Sequence, residues 1–292
     1  MNSSSENTTP HAAQPEALTD IENSVQPYFP PPSEAPPREI VVLKLMDPFH
    51  WLRLGWLDLM AARGVSFFYG ACFWIMSLVL GAVFRSKPEF AMSIASGCLL
   101  IGPFLALGLY EASRQRELGL APDLRGSLTC WKPHIRSMGM LVLVLIVLEL
   151  LWGRASLVVF AVFFNTGMPS TTGVIQAVFN PENWEFLAVY VVVGSVFASL
   201  VFAVSVVSIP MILDRDTDAI SAAITSLEVV LNNVVVMLLW GMLLTGFVFL
   251  ALLPWGVGLL LVGPLLGHGS WHAYRGSVRW LEIVTPKAAT AT

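Results

Sequence analysis

Charge is what this sequence has least of: only 12% of its 292 residues are Asp, Glu, Lys or Arg, where a water-soluble domain carries about a quarter. A soluble globular fold is excluded on that ground. Cysteine is scarce as well. Cys72, Cys98 and Cys130 lie far apart with no CxxC spacing, which excludes a zinc ribbon and a disulfide framework. Cys72 and Cys98 sit in apolar runs, where a thiol packs as a small residue. No broad basic surface is present, so nucleic acid is not expected as a partner. The chain also lacks a GxxxxGK[ST] phosphate loop, an HExxH zinc motif and a GxSxG nucleophile elbow. Gly256-Val257-Gly258 lies in an apolar stretch with no βαβ context, so no catalytic residue is assigned.

What is present is hydrophobic. Apolar residues make up 55% of the chain, and the clustering of charges leaves apolar runs of about 20 residues, enough at about 1.5 Å rise per residue to cross a hydrocarbon core about 30 Å thick. The expected fold is an all-α integral membrane protein, a six-span helical bundle. Spans are read at about 66–84, 90–112, 138–156, 184–213, 234–252 and 255–274.

Residues 1–39 hold eight of the 19 prolines and six acids among Ser, Asn and Thr. Such a segment buries too little apolar surface to offset its ordering entropy, and it reads as a disordered cytoplasmic tail. Its polar, acidic start is unlike a secretory signal, which leaves the first span to do the targeting. The membrane domain is set at 40–276, with a second cytoplasmic tail at 277–292. Two amphipathic stretches, about 48–63 and 217–232, read as interfacial helices. In the first, Asp47 serves as N-cap before Pro48, and Phe49, Leu52, Trp56 and Leu59 recur at helical spacing, with Asp58 and Arg63 on other faces. Asn165 to Asn183 has no Lys or Arg and reads as an external loop. With the amino end inside, thirteen basic residues fall on the cytoplasmic side and three, Arg85, Lys87 and Arg154, outside. That bias orients six spans with both ends in the cytoplasm.

Leu100-Ile101-Gly102-Pro103-Phe104-Leu105-Ala106 aligns without gaps on Leu261-Val262-Gly263-Pro264-Leu265-Leu266-Gly267, and the match continues to Ala112 and Arg114 against Ala273 and Arg275. Each copy follows an amphipathic stretch and a span, so a parallel internal repeat is expected, an amphipathic helix plus two spans, twice. Small residues four apart, Gly102 with Ala106 and Gly263 with Gly267, suit close helix packing, and Pro103 and Pro264 favour kinks.

Three blocks, Gly55-Trp56-Leu57-Asp58-Leu59, Ser205-Val206-Val207-Ser208-Ile209-Pro210-Met211 leading into Asp214-Arg215, and Gly263-Pro264-Leu265-Leu266-Gly267-His268 with Trp271-His272-Ala273-Tyr274-Arg275, resemble a bacterial family. It is the set of predicted integral membrane proteins grouped as domain of unknown function 2189, and the resemblance covers roughly residues 45 to 280. It implies a bacterial inner-membrane protein and brings no activity or catalytic residue to carry over.

The candidate functional residues are few. His268 and His272 share one face of the sixth span. The repeat pairs His272 with Glu111, so a structural hydrogen bond between them is expected, with a proton relay or a haem or transition-metal site as alternatives. No cofactor is otherwise expected. Glu149 lies inside the third span, where an acid is costly: it is either an ion or proton site or a hydrogen-bonded interhelical acid. Asp214, Arg215, Asp216 and Asp218 form an interfacial acidic cluster suited to capping. The resulting reading is a non-catalytic accessory or assembly component, in contact with lipid and with other membrane proteins or copies of itself. A transporter with a path between the repeats is the alternative, and a haem or metal protein the third reading.

Overall fold

In a computed structural model the described residues are 38–86, 91–164 and 183–281. Residues 1–37, 87–90, 165–182 and 282–292 lie outside them, and with them fall most of the expected amino-terminal tail, the expected turn after the first span, the expected external loop and most of the expected carboxyl-terminal tail.

The chain is a helical bundle with one small ribbon. Strand β1 is Arg38–Ile40; helices follow as α1 (Asp47–Ala61), α2 (Arg63–Ser86), α3 (Ala91–Glu117), α4 (Leu124–Thr129), α5 (Ile135–Phe163), α6 (Trp184–Ser205), α7 (Ser208–Arg215), α8 (Ala219–Asn232), α9 (Val234–Leu252) and α10 (Leu259–Ser277), and strand β2 is Val278–Trp280. Four helical stretches among the described residues are long and apolar enough to cross a membrane: Arg63–Ser86, Ile135–Phe163, Trp184–Arg215 and Val234–Leu252. The carboxyl-terminal half of α10 is too polar to join them by composition, since His268, Ser270, His272 and Arg275 fall within it.

Several local features differ from the sequence reading. The amino-terminal tail is expected to be disordered to residue 39, yet Arg38 and Glu39 belong to β1, which pairs antiparallel with β2 at the start of the carboxyl tail, Arg38 opposite Trp280 and Ile40 opposite Val278. Strands of three residues carry no legible alternation; the backbone of Val41, donating to Ser277 O at 3.0 Å, sets this pairing. Asp47 is not the cap of α1. Met46 holds that position, and the Asp47 carboxylate turns back to accept from the amide of Lys44 at 2.8 Å. Helix α4 was not expected; Asp123 caps it by accepting from the Gly126 amide at 2.9 Å.

The fourth span breaks at Val206 and Val207. Pro210 has no N–H to offer the carbonyl of Val206 and its ring crowds that carbonyl, so the ladder fails one turn upstream of the proline. The Ser226 hydroxyl takes up the Val207 amide instead, at 3.1 Å. Between α9 and α10 the chain turns through Trp255 (φ 57°) and Gly256 (φ 72°), which delays the last helix to Leu259.

The order short helix, one-residue break, then two longer helices occurs twice among the described residues: α1, α2, α3 with the break at Ala62, and α8, α9, α10 with the break at Asn233. The two halves pack differently. Helix α10 runs down the middle, against α1, α2 and α3. Its backbone lies so near α1 that a Cβ on Gly55 would come within 2.7 Å of the Gly269 nitrogen and 2.8 Å of the Leu265 carbonyl oxygen. Gly267 likewise meets Leu109 of α3, and Gly263 meets Phe73 of α2. Gly102 makes no such approach, for a Cβ there would have nothing within 4 Å. On α3 the close approach falls at Gly108 instead, where a Cβ would overlap the ring of Tyr69 of α2.

Candidate functional site

The face of α1 that meets α10 is Trp51, Gly55, Asp58 and Leu59, while Phe49 and Trp56 are turned outward. The apolar stripe legible in the sequence is thus divided, and the inward face is chosen by the backbone approach at Gly55. Asp58 comes with it, only 4% exposed.

A buried carboxylate needs partners, and α3 and α10 supply them. Asp58 Oδ2 accepts from the Ser113 hydroxyl at 2.6 Å and from His272 Nε2 at 2.8 Å, and Oδ1 accepts from the guanidinium of Arg116. Burial opposes ionisation of Asp58, but the hydrogen bonds from His272 and Ser113 outweigh it and hold the carboxyl below its usual range.

The same geometry fixes the tautomer of His268. Ser113 gives its only proton to Asp58, so it accepts from His268 Nδ1, 2.7 Å away. The neutral ring then offers a lone pair at Nε2 to the hydroxyl of Ser66, at 2.9 Å. Ser66, His268, Ser113, Asp58 and His272 form one chain of hydrogen bonds across α2, α10, α3 and α1. His272 Nδ1 stands 3.8 Å from Glu117, whose other oxygen holds Arg275 at 3.1 Å.

The Ser66 and His268 pair has the contacts of a nucleophile and a base, but Ser66 is 1% exposed and His268 fully buried. Three cavities of about 450, 720 and 730 Å³ among the described residues are lined by none of Ser66, His268 and Asp58. The arrangement joins four helices; it presents no hydroxyl to a substrate.

His272 does not meet Glu111. It turns to Asp58 and Glu117, because α10 lies over α1 as well as α3. Glu111 keeps to its own helix: it accepts from Gln115 Nε2 at 2.9 Å and lies 3.0 Å from Arg114 Nε, an ion-pair contact too poorly angled to be a hydrogen bond. No group of three His, Cys, Asp or Glu side chains among the described residues has the spacing to hold a metal ion. Both ring nitrogens of His268 are engaged by hydroxyls.

The interfacial cluster divides among separate tasks. Asp218 caps α8 by accepting from the Ser221 amide at 2.9 Å, which lowers its pKa. Asp216 accepts from His134 Nδ1 at 2.8 Å. Asp214 accepts from Tyr274 at 2.7 Å and lies near Arg215 and Arg275, at 3.3 and 3.6 Å. Arg215 also stacks over Trp280, 5.1 Å from its ring centre. Beside β1, Asn233 receives the Leu43 amide at 2.8 Å and donates to the Val41 carbonyl at 3.1 Å. Burial pushes the Cys130 thiol up to about 12, with Glu111 adding to the effect, so it stays a protonated packing residue.

Glu149 is elsewhere. It is the middle residue of α5 and lines the cavity of about 720 Å³ between α5, α6, α2 and α3. Pro103 and Gly102 border the same space.

Asp58, Ser66, Ser113 and Arg116 were not among the sequence candidates. Asp58 lies in one of the blocks that carried the family resemblance, and its spacing of three from Gly55 was the available signal.

No curated protein and no solved structure matches this chain. Of the three blocks that carried the resemblance, only the stretch from Ser205 to Arg215 reaches into the segment covered by the family match; Gly55–Leu59 and Gly263–Arg275 lie outside it. Over residues 90–214, from α3 to α7, the chain matches the family described as Predicted integral membrane protein (DUF2189), and it is an integral membrane protein.

Proposed function

We propose that this is a six-span protein of a bacterial inner membrane, with both ends cytoplasmic, and that it acts as a non-catalytic component packed against other membrane proteins. Six crossings are supported by which helix ends meet. Ser66, Ser113 and His272 link the start of α2, the end of α3 and the end of α10; His134 and Asp216 link the start of α5 to the end of α7; and Asn233 ties the start of α9 to Val41 and Leu43, beside the ribbon that follows α10. Alternation of starts and ends requires alternation of direction. Other contacts gather the opposite ends: Arg85 stacks on Trp255 at 4.4 Å, and Phe160 meets Phe186 at 4.9 Å. The order of α1 to α3 and α8 to α10 supports a parallel repeat.

One observation carries the proposal of partner packing. In the most apolar eighteen residues of the Trp184–Arg215 stretch, none is buried within this chain. The helix rests on α5 with one side, through Phe186, Tyr190 and Phe197, and leaves a broad face with Val191, Val192, Val196 and Leu200 exposed to lipid or to another protein. A photoreactive residue at Val192 or Val196, both exposed, tests it in native membranes. Discrete protein adducts, with another chain or a second copy, are expected; adducts to lipid alone would overturn the reading.

A transporter remains the second reading, favoured by the position of Glu149 on a cavity at mid-helix.

A further inference from the structure

We infer that the groove at the end of α2, closed by the turn between α9 and α10, binds an anionic phospholipid, with Arg85 on its phosphate and an acyl chain along its apolar wall. The inference rests on α2 crossing the membrane, and neither on the number of crossings nor on partner packing at α6. Orientation decides only which leaflet supplies the lipid.

Helix α2 has 24 residues, about 36 Å at about 1.5 Å per residue, against a hydrocarbon core of about 30 Å. Its last turn therefore reaches the level of the lipid phosphates, and Arg85 is its next-to-last residue. A cavity of about 730 Å³ opens there, and Arg85 is the only charged residue in its described lining. Among the described residues no carboxylate pairs with Arg85; its guanidinium lies over the Trp255 ring, 4.4 Å from the ring centre. Such a contact engages the face of the guanidinium and leaves its in-plane N–H groups for an anion, and phosphate oxygens match that fork.

The turn holds the indole in place. Trp255 has a φ of 57°, a left-handed conformation that is costly for a bulky side chain. Strain of this kind persists where the surroundings over-determine it, and it collects at ligand clamps. Here the Trp255 carbonyl accepts from Trp74 Nε1 of α2 at 3.3 Å, and a Cβ on Gly256 would overlap the Ser77 hydroxyl, so the turn sits directly against α2. Trp255 is nevertheless 67% exposed. Its strained position serves no core packing; it sets an aromatic face under Arg85.

The wall below Arg85 includes Leu78, Leu80, Ala82, Phe84 and Leu252, of which Leu78, Phe84 and Leu252 are exposed. An acyl chain covers that surface. Other head groups fit less well. The lining hydroxyl of Ser77 is committed to the Trp74 carbonyl at 2.7 Å, so a neutral sugar finds no described side-chain partner beyond Arg85. The ammonium of a zwitterionic lipid meets no carboxylate in the described lining and stands near a like charge. A phospholipid of net negative charge is the occupant that the groove complements.

The full chain, purified in an uncharged detergent, is to be irradiated with phosphatidylglycerol that carries a photoreactive group in its acyl chain, and the adducts mapped by mass spectrometry. Adducts are expected on residues 78–85 and on Leu252. Unlabelled phosphatidylglycerol should displace them, and phosphatidylethanolamine should compete more weakly, both measured in wild-type protein. Inorganic phosphate should not compete. Arg85→Gln should lower their yield by about tenfold, the worth of a charge-assisted hydrogen bond, while adducts elsewhere on the chain persist and report an intact fold. Absence of adducts in the groove, equal competition by phosphatidylethanolamine, displacement by inorganic phosphate, or an unchanged yield in Arg85→Gln would each overturn the inference. Labelling that reports reversed topology would leave all of these results in place, so the two readings fail separately.

Discussion

The end of the bundle that gathers Asp58, His272 and the β ribbon is held differently from the half around Glu149. At the first end, helix backbones touch at Gly55 and every polar side chain from Ser66 to His272 hands its hydrogen bond to the next. Around Glu149, α5 and α6 touch through Trp152, Tyr190 and Phe197, but Gly102 of α3 faces open space, and cavities of about 720 and 450 Å³ lie along α3. The described polar network of this membrane protein thus fastens helix ends, while its apolar middle is more loosely packed.

The strongest way to break this contrast is Asp58→Asn. Removing one partner of a buried ion pair costs about 3–5 kcal/mol, and the lower end applies because the Arg116 side chain is 39% exposed. Denaturant unfolding in detergent should show a loss of about 3 kcal/mol at neutral pH. The pH dependence has a definite sign. The folded carboxyl is held below its ordinary value of 3.8, so its stabilisation is full above that value and fades as the pH falls through the lower, folded one. Wild type and Asp58→Asn should therefore converge in stability below about that pH. A constant gap down to strong acid would mean that the carboxylate is not what holds α1, α3 and α10 together.

A smaller effect sharpens the comparison by placing one substitution in both regions. Gly55→Ala should destabilise by about 1–3 kcal/mol, since backbone and not a flexible side chain blocks the new methyl group. Gly102→Ala should be neutral or stabilise by up to about 1 kcal/mol, the helix-propensity gain with no clash. Equal effects at the two sites would contradict the difference in packing.

Much of the helix layout was legible in the sequence because long apolar runs admit few alternatives in a bilayer; α9 occupies the residues 234–252 read from hydropathy alone. Pro210 lies near the inner end of the fourth span, and its physical effect falls at Val206, one turn upstream. The polar network was not legible. Asp58 lay off the apolar stripe of α1, and stripe logic sends such a residue to water; only the approach of α10 at Gly55 turns that face inward. The expected pairing of His272 with Glu111 rested on symmetry between the repeats, and α10 breaks it by packing on α1. Strands β1 and β2 are too short to have a pattern, and their partner lies across almost the whole chain.

The central claim is that the fastened end faces the cytoplasm and the helices cross six times. In a variant with Cys72, Cys98 and Cys130 replaced by Ala, single cysteines at Ser170 and at Arg125 are to be exposed in intact cells to an impermeant thiol reagent. The account predicts labelling at Ser170 and none at Arg125 until the membrane is opened; the reverse pattern, or labelling of both from outside, would contradict it.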